Sequence, residues 1–263
     1  MIHARANEWT EVAMMGIGFA CLTESEVVDA IVASASVGSG GRLVTPNLSI
    51  LRATRFDNEA HRLVSSARLR VADGMPIVWA ARIAGTPIPG RVTGADLIWS
   101  LCAAAARLDT PVYLLGGDTQ DIVQRAAAAL TTRYPSLRIV AARSPKFGFE
   151  KDLHSRDAVI EDILARAPGI VFVGLGFPKQ ELLAEDIERR LPSAWVVGCG
   201  AAINFASGSQ PRAPHWMMNM GLEWFHRMVS DPKRLVRRYS ADLVFSARLA
   251  VWAVRQRFGG DQK

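Results

Sequence analysis

Short apolar runs alternate with longer amphipathic stretches along most of the chain. VAMMGIGFACL, RLVTPN, LRVADG, PVYLLGG, LRIVAAR, GIVFVGLG and AWVVGCGAAINF read as strands bounded by glycine and turn residues. Between them TESEVVDAIVASA, LSILRATRFDNEAHRLVSSA, PIVWAARIAG, DTQDIVQRAAAALTTRY, RDAVIEDILARA and KQELLAEDIERRL read as helices. Strands that are apolar almost throughout are those covered on both faces. The pattern therefore predicts an α/β fold: a doubly wound, mostly parallel, Rossmann-like sheet with helices on both sides. After Gly208 the character changes, and the remaining sequence is helical, aromatic and basic with no strand signal. Residues 1–208 are expected to form the α/β core, and residues 209–263 a basic amphipathic helical appendage. Because every predicted strand precedes it, a chain ended near Ser209 is expected to stay folded.

Ligands of such sheets bind at the carboxyl ends of the strands. Five predicted strand ends carry polar or glycine residues: TPN at 45–47, ADG at 72–74, LGGD at 115–118, GLGFPKQE at 174–181 and GCGAAINFASG at 198–208. Side by side, these endings form a crevice. Asp73 stands where a strand breaks before a helix, as a catalytic base, a helix cap, or both. Arg91 in GRVTGADL fits a phosphate or a sugar hydroxyl, or a solvated loop, and Asp96 fits the first turn of the helix that follows. GLGFPK lacks the third glycine of a dinucleotide fingerprint, which disfavours a nicotinamide-dependent oxidoreductase. No GxxxxGK[ST] loop and no DxD pair occurs, and the five histidines are scattered without ligand spacing. Neither a metal nor an organic cofactor is called for.

Composition adds the size of the core and the place of the charge. With 263 residues, 49% hydrophobic and 21% charged, the chain can bury a full-sized core. Cys21, Cys102 and Cys199 lie in apolar runs with no CxxC spacing, which suits buried thiols in a reducing, cytoplasmic compartment. The first residues contain no apolar h-region, and no segment reaches transmembrane length. From Ser207 onward ten Lys and Arg stand against four Asp and Glu, so this tail holds the whole formal charge of +6. Arg234, Arg237 and Arg238 have the i, i+3, i+4 spacing that aims three guanidinium groups to one helix face, suited to a diphosphate. A tail so polarised calls for an anionic partner: ligand phosphates, nucleic acid, or the acidic inner leaflet of a membrane.

Taken in order, TPN, ADGMPIVW, GRVTGADL, YLLGG, VGLGFPKQE, GCGAAINFASG, RAP and GLEWFHRMVSDPKRLVRRY resemble the WecG/TagA/CpsF glycosyltransferases of bacterial envelope and exopolysaccharide synthesis. The resemblance runs from about Gly16 to Tyr239. It implies a metal-independent, inverting transferase that moves a sugar from a nucleoside diphosphate, usually UDP, to a polyprenyl-diphosphate-linked acceptor. It makes Asp73 the base, and Thr45, Asn47, Arg91 and Gln180 the polar lining of the sugar-diphosphate pocket. Arg234, Arg237 and Arg238 would fold over that pocket. Where the family often has Tyr in a GYF-like segment and Asp in a GGxFD-like segment, this chain has Phe149 and Asn204; Phe149 would stack on the nucleobase and Asn204 hydrogen-bond its edge. The implied setting is cytoplasmic, peripheral on the inner face of the membrane, with no nucleic acid bound and a homo-oligomer left open. A basic nucleic-acid-binding module is the competing reading, and it has no need of Asp73.

Overall fold

A computed structural model describes residues 9–214, 217, 228 and 232–259; in the last stretch the side chains are described from Ser240 onward. Six strands form the main sheet: β3 (Gly41–Val44), β4 (Leu69–Arg70), β5 (Val112–Gly116), β6 (Ile139–Arg143), β7 (Ile170–Gly174) and β8 (Trp195–Gly198). Their order is β4-β3-β8-β7-β5-β6 and every pairing is parallel. The predicted doubly wound α/β sheet is therefore present. Its central strands are buried on both faces, which is why their sequences are apolar without alternation. Leu114, Phe172 and Val197 pack on one face with α1 (Glu24–Ser36) and α5 (Gly94–Arg107). Tyr113, Val171, Val173 and Val196 pack on the other with α7 (Leu153–Arg166) and α8 (Lys179–Arg190).

Two local predictions are corrected. VAMMGIGFACL is not one strand of the sheet but an antiparallel hairpin of β1 (Glu11–Met14) and β2 (Ile17–Ala20). Met15 and Gly16 both adopt positive φ, 51° and 89°, as a two-residue hairpin turn requires. Arg70 ties this hairpin to the sheet, donating from Nε to the Gly18 carbonyl at 2.7 Å and from Nη2 to Glu11 at 2.6 Å. The long predicted helix after RLVTPN is two helices, α2 (Leu48–Phe56) and α3 (Asn58–Ser65). Asp57 breaks it, because its carboxylate accepts from the backbone N–H groups of Glu59 and Ala60 and so caps a new helix.

The C-terminal helix α10 (Pro232–Gly259) follows α4 (Met75–Ile83), α6 (Gln120–Arg133) and the short α9 (Ala202–Ala206) in the chain order. It packs on α2 and α4. Its Phe245, Leu249 and Ala253 are fully buried in one cluster with Met14, Ile17, Val44, Leu51 and Ile77. Asp242, 5% exposed, accepts from Arg52 Nε at 2.9 Å and from the Ser49 hydroxyl on α2. This helix completes the hydrophobic core that the hairpin, β3 and α4 begin.

Candidate active site

Beyond the carboxyl ends of β3, β5, β7 and β8 lies a cleft of about 970 Å³. Thr45, Asn47, Asp73, Arg91, Gln180 and Asn204 all line it. Parallel strands bring five of them together: Thr45, Asn47, Asp73, Gln180 and Asn204 each follow a strand that ends on the same edge, as the position of ligand sites in α/β sheets requires, while Arg91 comes from the loop between α4 and α5. Asn47 caps α2, its Oδ1 accepting from Ile50 N at 3.1 Å. Asp73 follows the short β4 and donates its backbone N–H to the Pro46 carbonyl at 3.0 Å, which fixes it beside Thr45 and Asn47. Val92 N donates to the Ala72 carbonyl at 2.8 Å and draws the Arg91 loop to the same place. Gly94 lets α5 approach β8, since a Cβ there would stand 2.9 Å from the Cys199 Cα.

Asp96 is occupied structurally. Its carboxylate accepts from Thr93 Oγ1 and from Arg212 Nη1, both at 2.7 Å. Burial opposes its ionisation, yet the hydrogen bonds from Arg212 and Thr93 outweigh that and hold the carboxyl below its ordinary value. Gln180 is buried, its Oε1 accepting from Gly176 N at 3.0 Å and from Gly200 N at 3.1 Å. It thus joins the loops that follow β7 and β8. Asn204 donates from Nδ2 to Asp118 Oδ2 at 2.9 Å. That leaves its Oδ1 buried with no hydrogen-bond partner among the described residues.

Phe149 does not belong to this group. It begins a 3₁₀ turn, Phe149–Lys151, and is buried with Tyr113, Ile160 and Ile163 in the core beneath α7. Asp152 caps α7 immediately after that turn, and the start this fixes sends the ring inward. The side chains of Arg234, Arg237 and Arg238 lie outside the described residues; their backbone is the first part of α10. Further along, Leu243, Ser246, Leu249 and Ala250 of α10 also line the cleft. The sequence places the tail over the pocket through Arg234, Arg237 and Arg238 and does not single out these four, because no local spacing in α10 announces which distant strand ends they will face.

The helix starts differ in a way that bears on chemistry. α1, α2, α3, α5, α6 and α7 each begin on a Thr, Asn or Asp whose side chain bonds a backbone N–H. α4, α8 and the short α9 begin at the cleft with no side-chain cap, on Gly74, Pro178 and Ala201. Gly74, Met75, Pro76, Gly176 and Phe177 around these starts line the cleft. Pro76 has no N–H, and the amides of Ile77, Gln180 and Glu181 donate to the Gly74, Gly176 and Pro178 carbonyls, so what these starts present to an anion is chiefly the positive end of the helix dipole.

Comparison with known sequences decides the class. The family model described as "Glycosyl transferase WecG/TagA/CpsF family" matches residues 12–261. The chain belongs to the WecG/TagA/CpsF family. It is a glycosyltransferase, which sets aside the nucleic-acid module and the oxidoreductase. Among relatives of this WecG/TagA/CpsF chain is the N-acetylglucosaminyldiphosphoundecaprenol N-acetyl-beta-D-mannosaminyltransferase of Bacillus subtilis (strain 168). It is 28% identical over 201 residues, covering 76% of this chain and 76% of the relative.

Proposed function

We propose that the cleft binds a UDP-sugar and transfers the sugar, with inversion and without a metal ion, to a saccharide linked to polyprenyl diphosphate at a membrane surface. The observation that carries this reading is the meeting of the strand-end carboxylate Asp73 with Arg91 and the uncapped starts of α4, α8 and α9 in one cleft. An inverting transfer needs a base on the acceptor side and positive charge on the donor side. Asp73 accepts the proton of the acceptor hydroxyl as its oxygen attacks the anomeric carbon. The bond from that carbon to the diphosphate breaks, and UDP leaves with the electron pair. The positive ends of the α4 and α8 dipoles, together with Arg91, meet the departing charge; the family resemblance adds Arg234, Arg237 and Arg238. Among the described residues there is no group of three or more His, Cys, Asp or Glu placed to hold a metal. Asn204 presents its Oδ1 to an N–H of the base, and the withdrawal of Phe149 into the core leaves the base without that ring.

The relative's name points to an N-acetylmannosaminyl donor and an N-acetylglucosaminyl-diphosphate lipid as the first pair to try. No helix among the described residues is long and apolar enough to cross a membrane, so access to such an acceptor would come from docking. The tail's charge of +6 and the exposed Leu243, Val244, Val251 and Phe258 on α10 suit an anionic lipid interface. The test is UDP release by the purified protein from a panel of UDP-sugars, with polyprenyl-diphosphate N-acetylglucosamine as acceptor. Asp73→Asn keeps the shape but cannot accept the proton, so turnover is expected to fall by roughly 10²-fold or more with UDP binding kept. Near-wild-type turnover in that variant would make Asp73 a structural residue and overturn its assignment as the base.

A further inference from the structure

Directly behind Gln180 lies a second carboxyl group that the proposed transfer does not use. Glu181, in the first turn of α8, is 0% exposed and does not line the cleft. Its Oε1 accepts from Gln180 Nε2 at 2.9 Å, while its Oε2 has no hydrogen-bond partner among the described residues. The carboxyl presses on the end of β8: a Cβ on Gly198 would stand 2.9 Å from Oε1 and 3.3 Å from Oε2. Packing alone would be served better by a leucine, which carries no polar group to desolvate. The position of this carboxyl therefore calls for a reason, and its one hydrogen bond supplies it.

A glutamine amide is nearly symmetric in shape, so its oxygen and nitrogen exchange by a half-turn. In Gln180 the oxygen must face Gly176 N and Gly200 N, since an NH₂ group there would oppose two donors. An acceptor at the other end makes the same demand from the opposite side. Gly176 and Gly200 hold left-handed φ of 76° and 55° and both line the cleft. Their loops already touch, since a Cβ on Gly174 would come within 2.8 Å of the Gly200 carbonyl. We propose that Glu181 is a positioning residue: it fixes the orientation of the Gln180 amide, and thereby locks the loops after β7 and β8 into one unit on the donor side of the cleft. This rests on the reading of the cleft as a nucleotide-sugar site. The hydrogen bond from Gln180 and the charge of Arg42 on β3 favour its ionised form, while the neighbouring Cys199 thiol after β8, pushed up to about 12 by burial, is neutral and adds no charge. Burial outweighs them and pushes the Glu181 carboxyl up to about 7. Its Oε1 accepts from Gln180 in either protonation state.

Hydrogen exchange at the Gly176 and Gly200 amides, followed by NMR, reads the lock without any ligand; titration with UDP reads its effect on the cleft. Glu181→Leu is expected to lower protection of both amides by about tenfold or more and to weaken UDP binding on the order of tenfold through lost preorganisation. Glu181→Gln restores an acceptor and is expected to stay within about twofold of wild type in both measurements. A purely structural role would lower the melting temperature of Glu181→Leu without changing protection at these two amides, and that result overturns the proposal. Equal damage in Glu181→Gln overturns it as well. Should Glu181→Leu fail to fold, Gln180→Leu cuts the same link from the middle. Loss of protection at both glycines is expected there, and retained protection refutes the lock. Absence of UDP binding by the wild-type protein would sink the donor-site reading, while the exchange measurement would still judge the lock.

Discussion

Replacing Leu249 by alanine asks whether α10 is part of the core or rests upon it. Leu249 is 1% exposed and shares its cluster with Met14, Val44 and Ile77, so the substitution removes a buried isobutyl group and leaves a cavity. Such a loss costs about 2–5 kcal/mol. A chain of 263 residues has an unfolding entropy of about 0.55 kcal/mol/K near 60 °C. The melting temperature is therefore expected to fall by about 4–9 °C. Ending the chain near Ser209 removes Phe245, Leu249 and Ala253 together, along with the Asp242–Arg52 pair. That sum, about 6 kcal/mol or more, is comparable with the whole stability of a typical domain, about 5–15 kcal/mol. The truncated chain is thus expected to lose its cooperative transition, contrary to what the placement of the strands in the sequence suggests. Scanning calorimetry on the full chain, Leu249→Ala and the truncated chain measures this, with the exposed Val244→Ala as control, expected to shift the transition by about 1 °C or less. A Leu249→Ala transition within about 1 °C of wild type, or a truncated chain that unfolds like the full one, would refute the assignment of α10 to the core.

Three further outcomes are open to measurement. In Glu181 the native state holds a proton that the unfolded state releases, so stability falls as pH rises from about 4.5 to about 7 and is level above; Glu181→Gln removes that slope, and its gain in melting temperature over wild type should be larger at pH 8 than at pH 5. Asn204→Ala, which removes the acceptor held in place by Asp118, should weaken UDP binding by about tenfold and leave UDP and CDP less distinguished, as competition titrations would show. Excess EDTA should leave the initial rate unchanged; a rate abolished by chelator and restored by magnesium would establish a metal requirement.

What the chain reveals before folding depends on how local the cause is. The central strands were legible because burial on both faces removes the polar alternation from IVFVG and VYLLG. Thr45, Asn47, Asp73, Gln180 and Asn204 were legible because parallel strands deliver their ends to one edge, a rule of topology that needs no contact map, whereas Arg91, in the loop between α4 and α5, rested on the family resemblance. The β1–β2 hairpin was not, since a turn at Met15 and Gly16 interrupts an apolar run without changing its composition. Phe149 was misplaced because nothing in FGFE says which way a ring turns before a capped helix. Glu181 escaped notice because a carboxylate in an amphipathic helix ordinarily faces water; only the approach of β8 to α8 shuts it in. The same holds for α10, whose partners lie some two hundred positions earlier, near Ser49 and Arg52.

The bare starts of α4 and α8 set a limit on improving this protein. A designer seeking heat resistance would notice that α4 and α8 lack caps and place an aspartate at position 178, where such a cap is ordinarily worth about 0.5–2 kcal/mol. That carboxylate would hold the positive end of the α8 dipole for a resident anion in place of a transient one. The hardened variant would gain endurance and lose turnover, so the two goals compete for one helix dipole.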